Sequence, residues 1–137
     1  MKLSKSSQYA IRILSYMTIN QETKLLNATD LSQILLIPYK FLTKIMTILV
    51  KANIITSIRG REGGYTFAKP PSEIIINEIL DLFGDDIKDE ECVLGIGFCN
   101  SLCKCALHDQ WMEPKLLIQK MFRESTLEKI ATQGSKI

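Results

Sequence analysis

The sequence predicts a mainly α-helical fold carrying one small β-hairpin, and three observations predict it. Apolar residues recur at helical spacing in three successive segments before residue 53. Two short runs rich in β-branched and aromatic residues then flank a glycine-rich tip, and helical spacing returns after residue 106. A chain of 137 residues with 46% hydrophobic content suits one domain with an appended arm and fills one buried core. Seven Gly and four Pro are too few for a disordered or fibrous chain.

The first helix runs from about Ser6 to Asn20, with Tyr9, Ala10, Ile13, Leu14 and Met17 on one face. A polar break over 20–24 follows, and Asn27 caps a short second helix whose Leu31, Ile34 and Leu35 face inward. Leu36, Ile37 and Pro38 force a turn, because proline disfavours helical geometry in the residue before it. The third helix, Pro38 to Ala52, is the most regular: Leu42, Ile45, Met46, Leu49 and Val50 form one apolar stripe. Its opposite face carries Lys40, Thr43, Lys44, Thr47 and Lys51 and no acid. A solvated helix face ordinarily mixes both signs, so an acid-free face suits contact with phosphates.

Ile54 to Ile58 and Tyr65 to Phe67 read as the strands of a hairpin whose tip, Arg59 to Gly64, projects two arginines. A short helix over Ile76 to Phe83 ends at Gly84. The acidic stretch holding Asp85, Asp86, Asp89, Glu90 and Glu91 is expected to be a mobile linker. Beyond the cysteines, Leu107, Trp111, Ile118, Met121 and Phe122 keep helical spacing, and Pro114 predicts a kink or a restart near Trp111. Ser125 or Thr126 caps a final short helix containing Leu127 and Ile130.

Charge divides the chain. Residues 1–70 hold ten Lys or Arg against three acids (Glu22, Asp30, Glu62), whereas residues 71–109 hold nine acids against Lys88 and Lys104. A basic half suits a polyanionic partner, although ordinary surface charge produces such patterns too. The N-terminal stretch is broken by Gln8, Arg12 and Ser15 and is no signal peptide, and no run has the length of a membrane span. The expected compartment is therefore the cytoplasm, where thiols stay reduced and serve as ligands, catalysts or core residues.

Helix, helix, tight turn, helix, hairpin is the order of a winged helix-turn-helix, whose last helix enters the major groove of double-stranded DNA. Tyr39, Lys40, Thr43 and Lys44 stand near the start of that helix, where side chains reach base edges or phosphates. Arg59 and Arg61 on the wing suit a narrow minor groove.

All four cysteines fall together: Cys92, six residues, Cys99, three, Cys103, one, Cys105, two, then His108, the only histidine. The spacing matches neither ferredoxin pattern and lacks the paired C-x-x-C of common zinc modules. Four thiols and an imidazole within seventeen residues nonetheless point to a metal site, with Gly95 and Gly97 lending the loop pliability. His108 lies one helical turn from Cys105, which predicts that both share a face.

The run Ser57 to Tyr65, the opening Met1 to Ser4 with Tyr9 and Ala10, and the stretch Cys92 to Cys99 and Cys105 to Trp111 together resemble the bacterial Rrf2 family of winged helix-turn-helix regulators, which includes iron-sulfur sensors of the IscR and NsrR kind. The resemblance implies a homodimer in which the long helix crosses the partner subunit. It implies an iron-sulfur cluster held by Cys92, Cys99 and Cys105, with His108 as fourth ligand and Cys103 as the alternative. Mixed cysteine and histidine ligation favours a 2Fe–2S over a 4Fe–4S centre. Nitric oxide sensors of this type use an acid at the position of Gln8, and glutamine is a poor ligand.

The organisation expected is a winged helix-turn-helix DNA-binding domain over 1–84, an acidic linker and cluster loop over 85–106, and a dimerisation helix with a short C-terminal helix over 107–137. The function expected is a transcriptional regulator, a repressor or dual regulator acting on a DNA operator, that senses redox state, iron or nitric oxide. A metal-free regulator of the same fold, with Cys103 and a neighbour forming a reversible disulfide, is the alternative, and an iron-sulfur redox protein is a remoter one. No catalytic constellation is present, so an enzyme is not expected, nor is a membrane partner.

Overall fold

The computed structural model describes residues 2–21 and 25–133. Met1, residues 22–24 at the end of the polar break and the last four residues of the expected third region lie outside the described residues. In chain order the elements are α1 (Lys5–Ile19), α2 (Ala28–Leu35), α3 (Tyr39–Lys51), β1 (Ile55–Ile58), β2 (Gly64–Phe67), a 3-10 turn at Pro71–Glu73, α4 (Ile76–Leu82), α5 (His108–Glu124) and α6 (Leu127–Gln133).

Local chemistry sets the boundaries. Ser4 caps α1, its hydroxyl accepting from the Ser7 amide at 3.3 Å, and Asn27 caps α2 by accepting from the Asp30 amide at 2.8 Å. Leu36 closes α2 in the left-handed region, φ 53°, while the Arg12 guanidinium donates to the Leu35 carbonyl at 2.8 Å and satisfies a helix end. α3 starts directly after Pro38. β1 and β2 pair antiparallel, from Ile55 opposite Phe67 to Ile58 opposite Gly64, and Leu26 adds a bridge to Tyr65. Gly63 is required at the tip by close approach, since a Cβ there would lie 2.2 Å from the Ile58 carbonyl oxygen.

One core joins α1, α2, α3, α4 and α6. It includes Ile13, Leu14, Leu31, Leu42, Met46, Leu49, Ile79 and Leu127, all fully buried. α6 returns to the head because Ile75 and Thr126 form a bridge, with the Leu127 amide donating to the Ile74 carbonyl at 2.8 Å. Thr126 caps this last helix, accepting from the Lys129 amide at 3.2 Å.

Four sequence expectations need correction. Ile34 is 48% exposed, because an eight-residue helix presents only its i, i+4 pair, Leu31 and Leu35, to the core. Pro114 does not restart the helix: α5 runs unbroken from His108 to Glu124, its first turn closed by the Trp111 amide donating to Leu107 at 2.8 Å. The acidic segment is tied down rather than loose, since Asp85 accepts from the Ser4 amide at 2.8 Å and the Ser4 hydroxyl at 2.6 Å. Cys105 does not share a helical face with His108, because α5 begins at His108 itself.

Candidate functional site

Two groups of residues stand apart from ordinary packing, a cationic face on the head and the cysteine loop before α5. On α3 the buried stripe of Leu42, Ile45, Met46 and Leu49 turns the opposite side outward, and Tyr39, Lys40, Lys44, Thr47 and Lys51 are exposed with Thr43 half-buried. The hydroxyl of Thr43 donates to the Lys40 carbonyl at 3.1 Å, which leaves its oxygen able to accept. Arg59 and Arg61 are exposed at the wing tip. Among the described residues, none of Lys40, Lys44, Arg59 or Arg61 is engaged in an ion pair, so their charge is available to an external anion.

Wing and helices are set side by side. An open hollow of about 290 Å³ is bordered by Asn27 and Ala28, at the start of α2, and by Arg59, Gly60 and Arg61. The positive end of the α2 dipole therefore adds to the arginines. Burial pushes the Tyr65 phenol above its ordinary value, and neighbouring Tyr39 adds to the rise. Sequence reasoning missed Phe41, 55% exposed between the cations. An aromatic residue outside the apolar stripe was the available signal.

In the second group the five candidate ligands fall into two contacting pairs and one outlier. Cys92 Sγ lies 3.7 Å from Cys105 Sγ, and Cys99 Sγ lies 3.1 Å from His108 Nδ1. Cys99 and His108 are buried, Cys92 and Cys105 half-buried, and Cys103 exposed. Cys103 belongs to neither pair: it is exposed, in a turn in which its amide donates to the Asn100 side chain at 2.8 Å. Gly95 and Gly97 adopt φ of 68° and 67°, a region that costs other residues and lets the loop fold back upon Cys92. The backbone amides of Leu94 and Ile96 hold the Cys92 thiol below its ordinary value, against partial desolvation and with help from Cys105 and Gly95.

The loop is braced on both sides. Glu91 pairs with Phe98 in an isolated antiparallel bridge, and the Cys99 amide donates to the Glu90 carbonyl at 2.8 Å. The Gln8 side-chain amide donates to the Leu3 carbonyl at 2.6 Å. Among the described residues, no three His, Cys, Asp or Glu side chains converge on a single ion position. Three thiols and an imidazole are nevertheless donors suited to iron or zinc.

The family model described as Rrf2, iron-dependent transcriptional regulator, matches residues 3–133. The chain belongs to the Rrf2 family. It is 30% identical over 129 residues to the HTH-type transcriptional regulator NsrR of Oceanobacillus iheyensis, covering 93% of this chain and 88% of that one. Its fold is that of CymR, the global cysteine regulator of B. subtilis, with a TM-score of 0.82 at 19% identity over 98% of this chain and 99% of that one. It is also that of T. potens IscR, with a TM-score of 0.74 at 18% identity over 99% and 90%. This Rrf2 member is thus a DNA-binding transcriptional regulator, not an enzyme. Among the described residues no helix is long and apolar enough to cross a membrane.

Proposed function

We propose that this Rrf2 protein is a homodimeric, cytoplasmic repressor that reads an operator with Tyr39, Lys40, Thr43, Lys44, Arg59 and Arg61, under control of a 2Fe–2S cluster held by Cys92, Cys99, Cys105 and His108. The two-plus-two grouping of donors carries the reading. A 2Fe–2S cluster takes two protein ligands on each iron, and the grouping of Cys92 with Cys105 and of Cys99 with His108 supports that assignment. Two sulfurs bound to one tetrahedral ion at about 2.3 Å stand about 3.8 Å apart, close to the 3.7 Å between Cys92 and Cys105. Cys103 is the alternative fourth ligand, and its exposed turn makes His108 the better candidate.

When bound, the cluster supplies a centre that gains or loses electrons and reacts with nitric oxide. The chain's own residues carry the response onward. Cys92 and Cys99 hold the loop, His108 holds the start of α5, and α5 sets the spacing of two heads through its apolar outer side. That side exposes Leu116, Leu117 and Met121, a surface suited to a second copy. A change at the centre biases the dimer between two settings of its recognition helices.

The test is spectroscopic. Protein prepared anaerobically is expected to show visible absorption and a paramagnetic signal on reduction, both altered by nitric oxide and both lost in Cys92→Ala. A colourless, iron-free wild-type protein that binds its operator as tightly as Cys92→Ala does would refute the cluster.

The 3.7 Å approach of Cys92 and Cys105 also favours a second, metal-free reading. These two thiols, rather than Cys103 and a neighbour, would close into a disulfide as a peroxide takes two electrons and two protons from them. Thiol titration before and after peroxide, alongside iron analysis, separates the two readings.

A further inference from the structure

The inward side of α5 is polar where a packed helix is ordinarily apolar. Lys115 is 1% exposed and Gln119 is 3% exposed, one helical turn apart. The Lys115 ammonium donates to the carbonyls of Asp89 and Glu91. The Gln119 amide donates to the Ile87 carbonyl at 2.8 Å and to Asp89 Oδ1 at 3.0 Å. The backbone acceptors belong to residues 87, 89 and 91, so every second carbonyl of this segment faces the helix, as in a strand lying along a neighbour.

The ribbon so fixed leads directly into Cys92, and through Glu90 and Glu91 it pairs with Phe98 and Cys99. His108 is the first residue of the same helix, two turns before Lys115. α5 therefore carries His108 itself and, through Lys115 and Gln119, holds the ribbon that adjoins Cys92 and Cys99. A buried ammonium whose described partners are neutral carbonyls is costly compared with a buried methionine or leucine. Packing alone does not account for its presence.

We propose that Lys115 and Gln119 are positioning residues that set Cys92 and Cys99 in register with His108, coupling the cysteine loop to the helix whose other side exposes Leu117 and Met121. This rests on the cluster reading for its consequence but not for its geometry, and the test uses both states of the protein. In the reduced, metal-free chain, Lys115→Met keeps the stem and removes the donor. It is expected to raise the rate at which iodoacetamide alkylates buried Cys99 roughly tenfold relative to exposed Cys103, as opening of the ribbon becomes easier.

In protein loaded with iron and sulfide alone, the same variant is expected to change the visible circular dichroism and to speed loss of iron to a chelator, with the far-ultraviolet spectrum unchanged. Gln119→Leu is expected to act in the same direction and replaces Lys115→Met in both measurements should that variant not fold. Unchanged alkylation ratios in a folded variant would overturn the positioning role. A wild-type chain that takes up no iron, but whose Cys99 becomes reactive in Lys115→Met, would overturn the cluster and leave the positioning intact.

Discussion

α3 and α5 are both amphipathic helices, and they use their two sides in opposite ways. α3 buries Leu42, Ile45, Met46 and Leu49 and turns Lys40, Lys44 and Lys51 to solvent. α5 buries His108, Lys115 and Gln119 and turns Leu116, Leu117 and Met121 outward. The first pattern completes a core within one chain and leaves charge free for a polyanion. The second completes a polar grip on a loop and leaves apolar surface exposed, the surface proposed above for a second copy. On the proposed reading, stability of the head and control of the head reside in different helices.

The contrast between the two helices is sharpest in the core of the head. Leu49→Ala removes a fully buried side chain and is expected to cost about 2–5 kcal/mol of stability in denaturant unfolding. The matching change on α5 inverts the outcome. Leu117→Lys with Met121→Lys alters only exposed positions, so helicity by circular dichroism is expected to persist. Sedimentation is expected to show dissociation of the proposed dimer, each apolar side chain contributing about 1.5–3 kcal/mol when covered. A monomeric wild type would contradict the role given to this side of α5.

A smaller effect is expected on the charged face. Arg59→Ala should weaken operator binding and lower the slope of log affinity against log salt by about one. An unchanged slope would remove the wing from the interface.

The smallest effect concerns the latch between α1 and the acidic segment. Partial burial raises the Asp85 carboxyl, but hydrogen bonds from Ser4 and Ser7 outweigh it and leave the group below its ordinary value. A lowered carboxylate stabilises the fold above the unfolded value, near pH 3.9, and loses that contribution as pH falls through the folded value. The melting temperature of Asp85→Asn should therefore lie slightly below wild type at neutral pH, with the gap closing below about pH 4. A gap independent of pH would show that the carboxylate's charge plays no part.

The head was legible from residue types because each of its elements obeys one period, and caps such as Asn27 and Thr126 advertise themselves. α5 was half legible. Its spacing revealed a helix, but Leu107 and Met121 are exposed, so the apolar positions did not mark the inward side. The grip of Lys115 and Gln119 on alternate carbonyls of 87–91 involves backbone acceptors, which no side-chain pattern records. The cysteines announced a site by their clustering, yet their pairing depends on the bridge between Glu91 and Phe98 and on α5 starting at His108. Both are set by the fold, not by spacing alone.

The state of the cysteine centre is proposed to govern the head, and one titration decides the matter. Operator affinity of a single anaerobic preparation is measured before and after its iron is stripped by a chelator, with iron content followed throughout. A shift in affinity that tracks iron content and vanishes in Cys92→Ala is the result expected. Identical binding curves for loaded and stripped wild-type protein would contradict it.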